Sequence, residues 1–183
     1  MRSEGGAAYP RGNMHRVVIT GGPGAGKTTL IHALAAAGYP TVEESARAII
    51  AERLARGESP RPQQRAFALE ILRRDKAKYR AASQHGSWTF FDRCVVEAIG
   101  YVHEVSPLAE SKLSRLLESH AMHLTVFVLP PWPEIYRTDT ERDQTFEEAA
   151  RVYEGVKRWY TACGYRLHEV PPASAAERGA YIL

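Results

Sequence analysis

Cysteine is nearly absent from this sequence. Its two cysteines, Cys94 and Cys163, lie far apart and form no metal-type pair, so a reduced, cytoplasmic setting is expected. Long apolar runs are missing too: none reaches the length a bilayer requires. Residues 1–13 are rich in Gly, Ala and Pro and lack the apolar middle stretch of a signal peptide, so they read as a loose tail. Charge of one sign is scarce, with a formal net charge of only +3. The basic residues are spread along the chain and form no run interleaved with aromatics. Neither nucleic acid nor a membrane is therefore an expected partner. No internal repeat is visible.

What is present suits one soluble domain, residues 14–183. The chain has 183 residues, 44% of them apolar and 25% charged, enough for a single full-sized core. Residues 16–20, Arg-Val-Val-Ile-Thr, are a short β-branched run that reads as a buried strand. Helix is predicted over 28–37, ending at Gly38, and a short strand over 39–42. Helices are predicted over 44–56, with Ala46, Ile49, Ile50 and Leu54 on the core face, and over 62–84, with Phe67, Ile71 and Leu72 inward. Strand 88–92, helices 95–105 and 108–119, strand 124–129, a loop over 130–144, helix 146–163, strand 165–170 and helix 175–183 complete the pattern. Alternating strands and helices argue for a parallel sheet covered on both faces. Trp88, Phe90 and Phe91 read as core.

One segment carries most of the chemical information. Gly21-Gly22-Pro23-Gly24-Ala25-Gly26-Lys27-Thr28 has the spacing G-x-x-x-x-G-K-[ST] between a strand and a helix. Glycines let successive N–H groups converge on one anion, and the following helix adds its positive N-terminal end. The expectation is a cradle for ATP or another nucleoside triphosphate, completed by Thr29. Lys27 would reach the β- and γ-phosphates, and Thr28 would ligate Mg²⁺.

Three further sites are expected around this cradle. Asp92 ends the strand Phe90-Phe91-Asp92, where ligands of an open α/β sheet bind; it would hold Mg²⁺ or accept a proton, and Arg93 would hold a phosphate or balance Asp92. Arg93 stands where many ATPase machines carry a water-activating Glu. The ABC signature and the Asn-Lys-x-Asp guanine motif are also absent. The Asp-Arg pair resembles nucleoside and nucleotide kinases, thymidylate kinase among them. After the second strand, Glu44 is a candidate general base, with Glu43 as rival, and Arg47 a candidate anchor for an acceptor. In the charged loop, Arg137 and Arg142 are candidates to stabilise the transferring phosphoryl group from a lid. His120 and His123 lack a partner cluster, and the thiol of Cys94, beside Arg93, is expected to be somewhat acidic.

Taken in order, Gly-Gly-Pro-Gly-Ala-Gly-Lys-Thr-Thr, Glu-Ser-Ala-Arg, Phe-Asp-Arg, Pro-Pro-Trp-Pro-Glu-Ile-Tyr-Arg, Asp-Thr-Glu-Arg and Cys-Gly-Tyr resemble the compact AAA-domain ATPase family of P-loop proteins, related to the ribosylnicotinamide-kinase part of NadR. The resemblance runs from His15 onward. It implies a kinase-like P-loop three-layer sandwich with a five-stranded parallel sheet and a lid loop. It favours Glu44 over Glu43, supports Arg137 and Arg142 as lid residues, and does not imply a hexameric machine. The expected activity is Mg²⁺-dependent transfer of the γ-phosphate to a small nucleoside- or nucleotide-like acceptor, or to water. The alternative is a slow nucleotide-dependent switch read by a protein partner.

Overall fold

The computed structural model describes residues 15–82, 88–137 and 145–183. The predicted tail, residues 1–13, and the predicted lid arginine Arg142 lie outside the described residues.

Five strands form one parallel sheet: β1 (Arg16–Gly21), β2 (Thr41–Val42), β3 (Thr89–Asp92), β4 (Thr125–Leu129) and β5 (Arg166–Glu169), in the order β2-β3-β1-β4-β5. The connecting helices are α1 (Lys27–Ala36), α2 (Ser45–Ala55), α3 (Gln64–Ala81), α4 (Val95–Val105), α5 (Glu110–Glu118) and α6 (Phe146–Ala162), and α7 (Ala175–Ile182) follows β5. A 3₁₀ turn, Pro133–Ile135, opens the lid loop. None of the described helices is long and apolar enough to cross a membrane.

β1 is central, and every one of its residues is buried. A strand sends alternate side chains to opposite faces. Val17 and Ile19 therefore pack against Leu30, Ile31 and Leu34 of α1 on one face. Val18 packs with Phe91, Val126 and Val128 on the other, under α4 and α6, where Val95, Ile99 and Tyr160 close the layer. Burying each of the large aliphatic groups contributes about 1.5–3 kcal/mol. A satellite core of Ile49, Ile50 and Phe67 joins α2 to α3.

The predicted elements fall where expected, with two corrections in burial. Leu54, in the last turn of α2, is 38% exposed, so the apolar stripe of that helix is used only over its earlier turns. Trp88 is 43% exposed and is not core. It stands just before β3 and sets its ring edge-on to His15 and His123 at the amino end of the sheet. Phe90 and Phe91, within the strand, are buried.

Register positions the site. β1 pairs with β3 so that Ile19 lies beside Asp92, and with β4 so that Gly21 lies beside Leu129. The carboxyl ends of β1, β3 and β4 thus open at one level, with the glycine-rich turn between β1 and α1 above them.

Candidate functional site: a phosphate cradle facing a carboxylate wall

The turn from β1 to α1 needs backbone angles that side chains resist. Gly26 caps α1 in the left-handed region at φ 83°. Gly24 has φ 78°, and a Cβ there would lie 2.4 Å from the ring of Tyr136. The stem of the lid loop therefore rests directly on the cradle, steadied by an edge-on contact of Tyr136 with Phe146. Ala25 is buried, Pro23 half-buried, and Thr29 exposed at the start of α1.

Lys27 is 6% exposed, and its Nζ donates to the carbonyls of Gly22 at 2.8 Å and Gly21 at 3.3 Å. Burial pushes its ammonium down to about 8, and the charge of Arg93 adds to that fall, while Asp92 and Glu44 oppose it. An anion brought into the cradle would restore the lysine's preference for its charged form.

Thr28 and Asp92, predicted as metal ligands, meet: the Thr28 hydroxyl donates to Asp92 Oδ2 at 3.4 Å. Asp92 is 4% exposed, and its Oδ1 has no hydrogen-bond partner among the described residues. Burial raises its pKa, and Lys27 pulls it back. A buried, partly unpartnered carboxylate beside a hydroxyl is a hard-oxygen pair, which suits Mg²⁺ held jointly by protein, water and phosphate. Bound there, Mg²⁺ would neutralise charge on the phosphates.

Arg93 was expected to hold a phosphate or to balance Asp92, and its side-chain contacts run mainly to acids. It is the one non-glycine residue with positive φ among those described, at 60°. Such a backbone costs about 1–2 kcal/mol and persists only where surroundings hold it. Its Nε lies 3.1 Å from Glu44 Oε1, a charge contact rather than an aligned hydrogen bond. Nη1 donates to Glu97 Oε2 at 2.6 Å, and Nη2 donates to the Gly21 carbonyl at 2.9 Å. Burial works against its charge, yet Glu97, Glu44 and Asp92 raise its pKa. Arg93 balances these acids and ties the third strand end to the cradle.

Glu44 is the residue just before α2, at its N-cap, and the Arg93 contact turns it toward the site. Glu43 points elsewhere: its side chain is 77% exposed and lies 4.0 Å from His32. Arg47 is half-buried in the first turn of α2. Arg137 is exposed and donates to the Tyr136 carbonyl at 2.7 Å. Cys94 is corrected: burial pushes its thiol up to about 12, and its sulfur lies 3.2 Å from the Tyr160 hydroxyl. His120 and His123 make bonds to nearby backbone, with Leu116 and Thr125.

Three residues make contacts at the site that the sequence did not specify. Glu97 holds Arg93 and accepts from the Tyr160 hydroxyl at 3.1 Å, so α6 is bonded into the same chain of contacts. Asp75, on α3, accepts a hydrogen bond from the Ser45 hydroxyl. Arg178, on α7, donates to the Ala25 carbonyl at 2.9 Å and to the Pro171 carbonyl at 3.2 Å, and its guanidinium lies 4.6 Å from the Trp132 ring centroid. Only the helical spacing of Glu97 from Arg93, four residues, was available in advance as a sign of pairing.

A family model described as an AAA domain matches residues 16–178. No curated protein matches the sequence. Among solved structures, deoxyadenosine kinase from M. mycoides with bound dATP aligns with a TM-score of 0.62 at 15% identity, covering 91% of this chain and 96% of that one. NadR protein in complex with NR aligns at 0.62 and 19%, covering 93% of this chain and 50% of that one, so this chain spans half the length of NadR. Thymidylate kinase from Candida albicans aligns at 0.51 and 13%, covering 92% and 89%. At these identities the shared property is the fold: a P-loop sandwich of the nucleoside and nucleotide kinase type.

Proposed function

The chain belongs to the AAA-domain family, and from that premise we propose that it is a Mg²⁺-dependent phosphotransferase that moves the γ-phosphoryl group of ATP, or a similar triphosphate, to a hydroxyl-bearing nucleoside- or nucleotide-like molecule. The observation that carries this reading is that Arg93 joins two unlike parts, the Glu44 carboxylate at 3.1 Å and the Gly21 carbonyl of the cradle at 2.9 Å. On one side stand the cradle of residues 21–28 and the Thr28–Asp92 pair at 3.4 Å. On the other stands Glu44, turned inward by Arg93 at 3.1 Å.

The chemistry follows from the placement. Backbone N–H groups of residues 22–28 and the Lys27 ammonium hold the phosphates, with Thr29 at the rim. Thr28 and Asp92 would hold Mg²⁺. Glu44 accepts the proton of the attacking hydroxyl as its oxygen bonds to the γ-phosphorus. The bond from that phosphorus to the β,γ-bridging oxygen breaks, and the nucleoside diphosphate leaves with those electrons. Arg93 holds the direction of Glu44, while Arg47, on α2, would steady the acceptor. Arg137, at the lid stem, lies on the side from which a lid cation would reach the transferring group.

The test begins with Lys27→Ala. Nucleotide affinity measured by calorimetry should fall about 100-fold, since a charge-assisted contact to phosphate is lost. Retained affinity would remove the cradle from the reading. Steady-state ADP formation across hydroxyl acceptors then separates transfer from hydrolysis. A nucleotide-dependent switch would show basal hydrolysis alone, and partner capture that tracks the bound nucleotide.

A further inference from the structure

Given the phosphotransfer reading above, the charges around the transfer point narrow the acceptor. Beyond the ends of β2 and β3, the start of α2, the middle of α3 and the first turn of α4 contribute Glu44, Asp75 and Glu97. The cation among them is Arg93, and its guanidinium is turned to Glu44 at 3.1 Å, Glu97 at 2.6 Å and the Gly21 carbonyl at 2.9 Å. Lys78, the nearest cation on α3, donates to the Glu43 backbone carbonyl at 2.5 Å. Lys27 is bonded to the carbonyls of the cradle. Arg47 has interactions of its own.

A phosphorylated acceptor would bring a dianion against this wall. Sites for such groups present several charge-assisted donors, most often arginine forks. Here the arginine beside the transfer point is already satisfied by two carboxylates. Asp75 adds a third carboxylate, half-buried and bonded to the Ser45 hydroxyl right beside Glu44. The charge of Lys78 acts on it, and those of Glu97 and Glu44 oppose that pull. Like charges placed together inside a site reject a ligand even where its shape fits.

We propose that the acceptor is a hydroxyl compound carrying no phosphate of its own, uncharged or cationic, and that Asp75 is the specificity-determining residue that turns phosphorylated acceptors away. In the reaction the acceptor oxygen forms its bond to the γ-phosphorus, the hydroxyl proton passes to Glu44, and the nucleoside diphosphate departs. A neutral alcohol needs no cation in the wall, and its hydroxyls find acceptors in Glu44 and Asp75.

Matched pairs test this with the full chain, ATP and Mg²⁺: several nucleosides, each beside its 5′-monophosphate, with ADP formation followed. At least one nucleoside should raise ADP formation above basal hydrolysis, with kcat/KM about tenfold or more above that of its monophosphate. This wild-type preference requires no variant to fold. Asp75→Asn, which keeps the side-chain shape, should shrink the preference about threefold or more by improving use of the monophosphate. A wild-type enzyme that prefers monophosphates overturns the inference and leaves the phosphotransfer reading standing. An unchanged preference in folded Asp75→Asn overturns the role of Asp75. If no acceptor raises ADP formation while ATP still binds, the phosphotransfer reading itself falls and this inference with it.

Discussion

The two ends of the sheet hold their arginines in opposite ways. At the amino end, Arg16 is 2% exposed, yet no carboxylate among the described residues neutralises it: its guanidinium lies 3.9 Å from the Tyr79 ring centroid and donates a long bond, 3.4 Å, to the Ala82 carbonyl. At the carboxyl end, Arg93 sits in a left-handed backbone, pinned by Glu44, Glu97 and Gly21. The first is a packing device, a flat cation used as a lid on an aromatic core. The second is a charge assembly that accepts backbone strain to fix the direction of a carboxylate. At one end the arginine covers the core, and at the other backbone strain is accepted for placement.

Substitutions should break this contrast in a definite order. The largest effect belongs to Glu44→Gln, which keeps shape and removes the base. Turnover with an acceptor should fall about 10²–10⁴-fold while nucleotide affinity, measured by calorimetry, stays nearly constant. Equal loss of both would assign Glu44 to folding rather than chemistry. Arg93→Met comes next. It strands two partly buried carboxylates, so stability by denaturant titration should drop about 3 kcal/mol, and turnover should fall with it. An unperturbed variant would show that the strained backbone serves nothing.

Asp75→Asn should move stability the other way. Burial raises the Asp75 pKa from 3.8 to about 6, against the pull of the Ser45 hydrogen bond. The folded form thus keeps its proton to higher pH than the unfolded chain does. Stability must decline as pH rises from about 4 to 6, and the cost stays in place at pH 7. Removing the charge should raise stability at pH 7 by about 1–2 kcal/mol after allowance for solvent screening, with little gain at pH 4. A destabilised variant would contradict that balance. The smallest effect is Arg16→Met, which should cost about 1 kcal/mol of stability and leave turnover unchanged. A change in acceptor kinetics there would erase the division between the two ends.

Most of the fold was legible because its signals are local. β1 announces itself as a β-branched run, and the glycines and Lys27 that follow need no tertiary knowledge to interpret. Asp92 was legible for a related reason, since a strand-end acid in a parallel sheet has one place to go. Glu97 and Asp75 were not, because each acts from a helix face toward a partner set by packing between elements. Arg93 was noticed, but its engagement by Glu97 and Gly21 depends on where α4 and the cradle meet. Trp88 failed for a different reason: an aromatic residue at the edge of an apolar run reads as core until the strand is seen to begin one residue later. Leu54 likewise continued a helical stripe past the point where a neighbour covers it.

Arg178 has one more consequence, and it concerns time rather than energy. The carbonyl it holds belongs to Ala25, which precedes it by 153 residues. A ribosome adding about 5–20 residues per second needs on the order of 8–30 s to cover that span. The phosphate-binding turn is thus made early and completed late. Until α7 emerges, Ala25 and Trp132 lack the guanidinium that joins them, and the growing chain carries the loop without its final brace.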